Sequence, residues 1–331
     1  MPELPEVETV RIGLAELLPG KVVKDVWHDW AKSFPNPPAD VARFLLSSKI
    51  LGVRRRAKVL IIDLSSDYSL VIHLKMTGQL VFVDKPQKQT LNTNIETLNK
   101  SQISNKKAPN SLGFRNSDLD IGEAGRFAGG HPSKSLVGKL PDKSTRVVIE
   151  FKDGSKLFFN DQRKFGWMRL LPTIEIPEID FFKTVGPEPL EDDFTVDRFI
   201  ERVQKRKNSP IKAVLLDQTV LAGVGNIYAD ESLWAAKIHP ATPVARVPRT
   251  KLVALYNGLR DVLRLSIEKG GSTDCNYVDA RGKKGSYLTF AQVFRKQGQP
   301  CPRCGTPIEK IRVAGRGTHI CPRCQKAPRK T

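Results

Sequence analysis

Residues 209–234 read SPIKAVLLDQTVLAGVGNIYADESLW, and the punctuation in this stretch decides what the C-terminal half is. Ser209-Pro210 places an N-cap residue before a proline whose fixed φ and missing N–H suit a first helical turn. A helix over Pro210–Leu216 follows. Ala222-Gly223-Val224-Gly225 makes a turn, and Asn226 opens a further helix through Trp234. Upstream, Phe194 to Lys207 has amphipathic spacing. Downstream, residues 248–269 set Leu252, Leu255, Leu259, Val262 and Leu263 along one side of a longer helix. Helix, glycine-rich turn, helix is the shape of an ordinary helical core and of a DNA-gripping element alike, and shape alone leaves both open.

C-terminal to these helices stand Cys301-Pro302-Arg303-Cys304 and, sixteen residues on, Cys321-Pro322-Arg323-Cys324. Two Cys-x2-Cys knuckles at this separation match a tetrahedral four-thiolate Zn2+ site, each knuckle giving two sulfurs from a tight turn. Thr306–Val313 and Thr318–Ile320 are expected as strands, with Ala314-Gly315-Arg316-Gly317 as a hairpin tip presenting Arg316. Four thiolates leave no open coordination position, so the metal is structural. Cys275 stands apart and reads as an ordinary thiol.

N-terminal to the helices the period changes. Residues 5–18 carry Val7, Val10, Leu14 and Leu17 at helical spacing and end at Pro19-Gly20. Short β-branched or aromatic runs follow at Val22-Val23, 59–62, 70–72, 80–83, 147–149 and 157–159, with Asp153-Gly154 marking a hairpin. The expected fold is α+β in two domains. A β-sandwich with an N-terminal helix (1–173) is followed by a linker (174–190), a helical domain (191–295) and the four-Cys finger (296–331). Residues 86–143, rich in Asn, Ser, Lys and Gly, show no sustained apolar period and read as a flexible surface insertion. Lys106, Lys107, Arg115, Arg126 and Lys134 make it alternatively an extra nucleic-acid contact.

The chain has 331 residues, with 54 Lys and Arg against 35 Asp and Glu, for a formal charge of +19. Such an excess favours a polyanion over a small acidic ligand. No apolar run reaches the ~18 residues of a membrane span, and the start has no signal-peptide core. A cytoplasmic protein is expected, and clustered cysteines there point to metal over disulfides.

The start, MPELPEVE, bears on chemistry. Removal of Met1 would make Pro2 a free secondary amine, titrating near ~8 where lysine sits near ~10.4, and therefore a better nucleophile at neutral pH. Glu3 and Glu6 lie beside it, and Pro5 stands where a helix begins. Imine chemistry and plain helix punctuation both fit. Lys58, after Arg54-Arg55-Arg56-Ala57 at the mouth of an apolar strand, reads as a snorkelling charge or a second proton carrier. Met76 in HLKMTG and Phe165 beside Arg163 in DQRKFG suit either a core or wedges that hold open a duplex from which a base has been extruded.

Taken together, PELPEVETVR, RRRAKVL at 54–60, HLKMTG at 73–78, DQRKFGW at 161–167, VGPEPL at 185–190, the 209–234 block and the cysteine finger resemble the bacterial formamidopyrimidine-DNA glycosylase family. The resemblance runs from residue 1 to about 325, leaving out 86–143. It implies a helix-two-turn-helix domain and a bifunctional glycosylase and abasic-site lyase that removes oxidised purines in base excision repair. Pro2 is then the nucleophile, Glu3 the acid–base carboxylate and Glu6 a second, orienting carboxylate. Lys58 serves β-elimination, and Arg316 contacts phosphates and serves δ-elimination. Met76, Arg163 and Phe165, with Lys164 in the same turn, fill the gap of the flipped nucleotide. Asn226, Lys207 and Lys212 contact the DNA backbone, and residues 271–287 form a loop over the extruded base.

The resemblance further implies a monomer on damaged double-stranded DNA, in a bacterial cytoplasm and associated with the nucleoid. Lys75 stands where glycine is usual and Lys164 where arginine is. Ser144 falls near the place of a DNA-contacting histidine, a contact not assigned here. The pyrimidine-preferring endonuclease VIII branch and a non-enzymatic zinc-ribbon DNA binder are the competing readings. The PELPEV start and the Arg163/Phe165 wedge favour the purine branch, and an intact Pro2, Glu3 and Lys58 favours an enzyme.

Overall fold

The computed structural model describes residues 2–84, 125–131, 133–136, 138–272 and 286–328. The chain opens with α1 (Leu4–Leu17), started by a reciprocal capping box in which the Glu3 N–H donates to Glu6 Oε2 at 2.8 Å. Val7, Val10 and Leu14 of α1 pack into the core between two antiparallel sheets. One sheet has the order β1 (Val23–His28), β7 (Thr145–Phe151), β8 (Lys156–Asp161), β5 (Gly78–Val83), β6 (Arg126–Gly130). The other runs β2 (Ile50–Arg56), β3 (Val59–Leu64), β4 (Tyr68–His73), β9 (Trp167–Pro172). The short α2 (Pro38–Asp40) and a π turn (Val41–Leu45) lie between β1 and β2.

Alternation along the strands decides what each face meets. Leu60 pairs with Ile72 and Leu80 with Phe159, and all four face the core shared by the sheets. The intervening Val59, Ile61 and Val71 point outward, yet they are buried under Ile176, Ile179, Phe181 and Phe182. Those residues sit on a 3₁₀ turn (Thr173–Glu178) and α3 (Asp180–Thr184). Residues 174–190, expected as a linker, thus cover the apolar back of a sheet before crossing to the next domain.

The expected insertion is corrected at its C-terminal end. Arg126–Gly130 forms β6 on the edge of β5, with Phe127 opposite Phe82. Phe127 also packs against Gly13 of α1, where no larger residue fits. Leu136, on a 3₁₀ turn (Lys134–Leu136), packs with Val81, Ala128 and Phe158. Arg126, considered as a nucleic-acid contact, donates to the carbonyls of Gly138 and Ser135 at 2.8 and 2.9 Å and closes this corner. Lys106, Lys107 and Arg115 lie outside the described residues.

The helical domain comprises α4 (Val196–Gln204), α5 (Ile211–Leu216), α6 (Asn226–Ala235), α7 (Arg249–Glu268) and α8 (Tyr287–Phe290). Their apolar faces share one core around Phe194, Leu215, Tyr228, Leu255 and Leu259. The finger is a ribbon of β10 (Glu309–Val313) and β11 (Arg316–Ile320). Ala314 and Gly315, at φ +48° and +75°, make its two-residue turn. Arg316 therefore sits one step back from the expected tip, as the first residue of β11 opposite Val313. Among the described residues no helix is long and apolar enough to cross a membrane. Of the expected loop 271–287, the ends Gly271, Ser272, Ser286 and Tyr287 are described and the rest, with Cys275, lies outside.

Candidate active site

The two domains meet at the chain's start. The Leu4 N–H donates to Gly223 O at 3.0 Å, so the glycine turn before α6 grips the first turn of α1. Gly223 has φ +81°, and a Cβ there would strike the Leu4 side chain. A Cβ on Gly225 would sit on the Glu3 carboxylate. This close approach brings Glu3 Oε1 to the Ile227 N–H at 3.3 Å, in the first turn of α6, where unpaired amides favour a carboxylate. Glu3 Oε2 is buried without a partner.

Glu3 is almost fully buried, and burial pushes its carboxyl up to about 7 against the opposing pull of Lys58. Lys58 is buried too, its Nζ donating to Val224 O at 3.0 Å. Burial lowers its pKa below the usual lysine range, Glu3 and Glu6 oppose the shift, and the nearby Arg316 adds to it. Glu6 Oε1 accepts from the Tyr228 hydroxyl at 2.5 Å and from the Ser272 N–H at 2.9 Å. Its carboxylate thus ties α1 to α6 and to the end of α7. Pro2, Glu3, Glu6, Lys58, Asn226 and Arg316 line one cavity of about 520 Å³, with Met76 on its wall.

The second group lies on two turns of the sandwich. Arg163 Nη1 reaches Met76 Sδ at 3.0 Å, and its guanidinium lies 4.8 Å from the centre of the Phe165 ring. Met76 is 40% and Phe165 52% exposed, so both apolar side chains stand out from the surface on either side of the Arg163 guanidinium. Buried Asp161 fixes the turn, accepting from the Gly166 and Arg163 N–H groups at 2.6 and 3.2 Å and from the Thr77 hydroxyl. Lys75 occupies the left-handed region at φ +49°, which explains why glycine suits that place. The Lys75 N–H donates to His73 Nδ1 at 3.0 Å. Lys164, at φ +57°, sets its ammonium 4.7 Å from the Trp30 ring.

The four expected thiols converge: one sulfur from each of Cys301, Cys304, Cys321 and Cys324 lies within 4.8 Å of all the others. The 3.4 Å from Cys304 to Cys321 and 3.5 Å from Cys304 to Cys324 are near the ~3.8 Å edge of a tetrahedron with ~2.3 Å Zn–S bonds. All four cysteines are free thiols in a small apolar cluster with Val293, Ile308 and Trp234. The donor set fits one structural zinc ion.

Not every expected DNA contact is presented. Lys212 is wholly buried, its Nζ donating to Asp230 Oδ1 at 2.6 Å and to Thr318 Oγ1 at 2.7 Å. Lys212 thus serves as a strut between α5, α6 and the ribbon, with its ammonium held inside the protein. Asn226 Nδ2 likewise donates to Gly317 O at 3.1 Å, while its Oδ1 is buried and unpartnered. Lys207 is exposed in the turn after α4. Sequence reasoning did not single out Tyr228, Glu188, Asp230 or His131 for any role. Glu188, Tyr228 and Asp230 stood inside the quoted VGPEPL and 209–234 blocks, so a signal for them existed, while His131 lies outside every block.

A sandwich, a clasping helical turn and a four-cysteine ribbon around a buried carboxylate, a buried lysine and an N-terminal proline define a DNA glycosylase of the helix-two-turn-helix class. The comparisons specify it further. Residues 1–113 match the formamidopyrimidine-DNA glycosylase N-terminal domain, 185–276 the formamidopyrimidine-DNA glycosylase H2TH domain, and 298–327 the zinc finger found in FPG and IleRS. The formamidopyrimidine-DNA glycosylase of Pediococcus pentosaceus is 39% identical over 326 residues, covering 98% of this chain and 99% of that protein. A crystal structure of a Lactococcus lactis FPG variant with Fapy-dG-containing DNA superposes with TM-score 0.76 at 31% identity, covering 98% of this chain and all of that one. MutM with DNA containing carbocyclic 8-oxo-G gives TM-score 0.74 at 31% identity, with 98% of this chain covered and 100% of that one. The chain belongs to the formamidopyrimidine-DNA glycosylase family, and is an enzyme of DNA repair.

Proposed function

We propose that this chain excises oxidised purines, 8-oxoguanine and formamidopyrimidines, from double-stranded DNA and then cuts the strand through an imine on Pro2. The observation that carries the reading is the shared cavity of Pro2, Glu3 and Lys58, which brings together the chain's start and a strand mouth more than fifty residues away. Once Met1 is gone, the Pro2 nitrogen attacks C1′ of the damaged nucleotide. The C1′–base bond breaks and the base leaves with its electron pair and a proton. Glu3, with its carboxyl pushed up to about 7, is part protonated at neutral pH and can hand a proton to the ring oxygen as the sugar opens. The resulting iminium acidifies the C2′ proton.

Lys58, deprotonated more readily than an ordinary lysine, suits proton transfer in the β-elimination that releases the 3′ phosphate. Arg316, exposed on the ribbon and lining the same cavity, suits the phosphate released by the second, δ-elimination. Met76, Arg163 and Phe165 form an exposed wedge fit to replace the extruded nucleotide in the stack. Lys164 and Lys207 add charge for the backbone. The protein acts as a monomer in the bacterial cytoplasm, on the nucleoid.

Borohydride trapping on duplex DNA carrying 8-oxoguanine opposite cytosine is the test. A covalent adduct is expected from protein with a free Pro2. Protein that retains Met1 is expected to bind DNA with unchanged salt sensitivity and to give no adduct. Lack of an adduct with correctly processed, zinc-loaded protein contradicts the enzymatic reading and leaves the DNA-binding one.

A further inference from the structure

We propose that His131 is an additional substrate-contacting residue, offering its imidazole to the sugar-phosphate backbone of the extruded nucleotide. The inference rests on the reading of the Pro2 cavity as the lesion site, and it concerns a residue within 86–143, just after β6. His131 follows β6 directly, and it lines the same cavity as Pro2, Lys58 and Met76.

The backbone at His131 is held from both sides. Its N–H donates to Gly78 O at 3.0 Å, and its carbonyl accepts from the Gln79 side-chain amide. Gly130 enables the turn, with φ +118° and a position so close to β5 that a Cβ would press on the Gly78 carbonyl oxygen. Gln79 also donates to Ser133 at 2.7 Å, so one buried side chain anchors the whole corner. A residue fixed at N–H and C=O is aimed by the sheet and does not wander with a loop, which is how a binding group is kept in register.

The ring itself, by contrast, makes no hydrogen bond among the described residues. Among these residues both nitrogens are unengaged, on a wall shared with Pro2, Lys58 and Met76. Partial burial lowers the imidazole pKa, the positive N-terminus adds to this, and Asp161 opposes it. A neutral imidazole donates one N–H, suited to a phosphodiester or deoxyribose oxygen, without adding a second strong base beside the amine nucleophile. A nucleotide drawn from the Met76 wedge toward Pro2 passes this wall.

His131→Ala and His131→Asn test the contact. The probes are a duplex with a tetrahydrofuran abasic analogue, the same duplex undamaged, and the 8-oxoguanine duplex under single-turnover trapping. His131→Ala is expected to weaken tetrahydrofuran-duplex binding and slow trapping by about tenfold, the worth of one hydrogen bond to a charged oxygen, with undamaged-duplex binding unchanged. His131→Asn, which keeps an N–H donor, is expected to recover most of this. The imidazole ¹H–¹⁵N signal of His131 is expected to move on adding the tetrahydrofuran duplex and stay put with the undamaged one.

Wild-type rates in folded His131→Ala, an equal loss on both duplexes, or an unmoved imidazole signal each overturn the proposal. Absence of any adduct in the wild type counts against the Pro2 reading instead, and the ring signal then still decides whether His131 meets the lesion strand.

Discussion

A carboxyl group buried as deeply as Glu3 ties the stability of the protein to its proton. Its pKa in the fold is about 7 against an ordinary 4.5, so between those values the folded state binds more protons than the unfolded state. The stabilising contribution is fully present below pH 4.5 and is lost as pH rises through about 7. The full span amounts to about 3 kcal/mol. Denaturant titrations of wild type and Glu3→Gln at several pH values read this directly. The wild type is expected to lose stability relative to the variant from pH 5 to pH 7.5, and parallel curves would show that Glu3 is not held protonated. Carboxylates beside an N-terminal amine were legible in the sequence. Their separate environments were not, because Gly225 and Ile227, which enclose Glu3, lie more than two hundred residues away.

At the level of elements, the ribbon depends on α6 as much as on metal. Asp230 takes the Lys212 ammonium on one oxygen and the His319 N–H at 2.9 Å on the other. Glu231, the next residue, accepts the N–H groups of Gln292, Val293 and Phe294 at 2.8–2.9 Å and fixes the chain leading into the finger. Removing one partner of a buried ion pair leaves the other uncompensated, at about 3–5 kcal/mol. Asp230→Ala is expected to lose that much in chemical denaturation, and a loss below about 1 kcal/mol would mean that the pair is not what holds the ribbon.

Zinc removal should act on the same element from its other end. The finger's own apolar cluster is too small to hold it folded without metal. Chelation is expected to weaken duplex binding by freeing Arg316 while the sandwich keeps its thermal transition, and unchanged affinity in verified metal-free protein speaks against the role given to the ribbon. The cysteine spacing made the finger legible in advance. The strands β2, β6 and β9 were not, since a run such as Arg126-Phe127-Ala128-Gly129-Gly130 has neither alternation nor β-branched residues and is a strand only because β5 offers its edge. The burial of Lys212 was illegible for a related reason. A lysine in an apolar helix signals burial or a ligand contact equally, and its partner on α6 is not visible from local pattern.

Across the whole molecule, the cavity at Pro2 exists only where the two domains are locked together, and Glu188 is the lock. Its carboxylate meets Arg55 at 2.7 Å and accepts the Ala57 N–H at 2.6 Å, with both charged side chains largely buried. Arg55 also holds Glu8 of α1 at 2.7 Å, and Arg56 donates to Gly186 O at 2.7 Å. Ala57 adjoins Lys58, so the contact that fixes the second domain's entry strap also fixes the strand mouth bearing the buried amine. Glu188→Ala leaves Arg55 with one carboxylate partner instead of two, Glu8 alone, and takes the Glu188 acceptor from the Ala57 amide. The expected cost is about 3–5 kcal/mol of stability. A larger effect is expected on trapping than on DNA affinity, since the wedge and the ribbon keep their own supports while Lys58 loses its registration against Val224 and Glu3. Glu188→Gln, which preserves the acceptor for the Ala57 N–H, is expected to recover much of the trapping rate at reduced stability. Equal losses in binding and trapping for both variants would show that Glu188 serves folding alone and does not set the cavity.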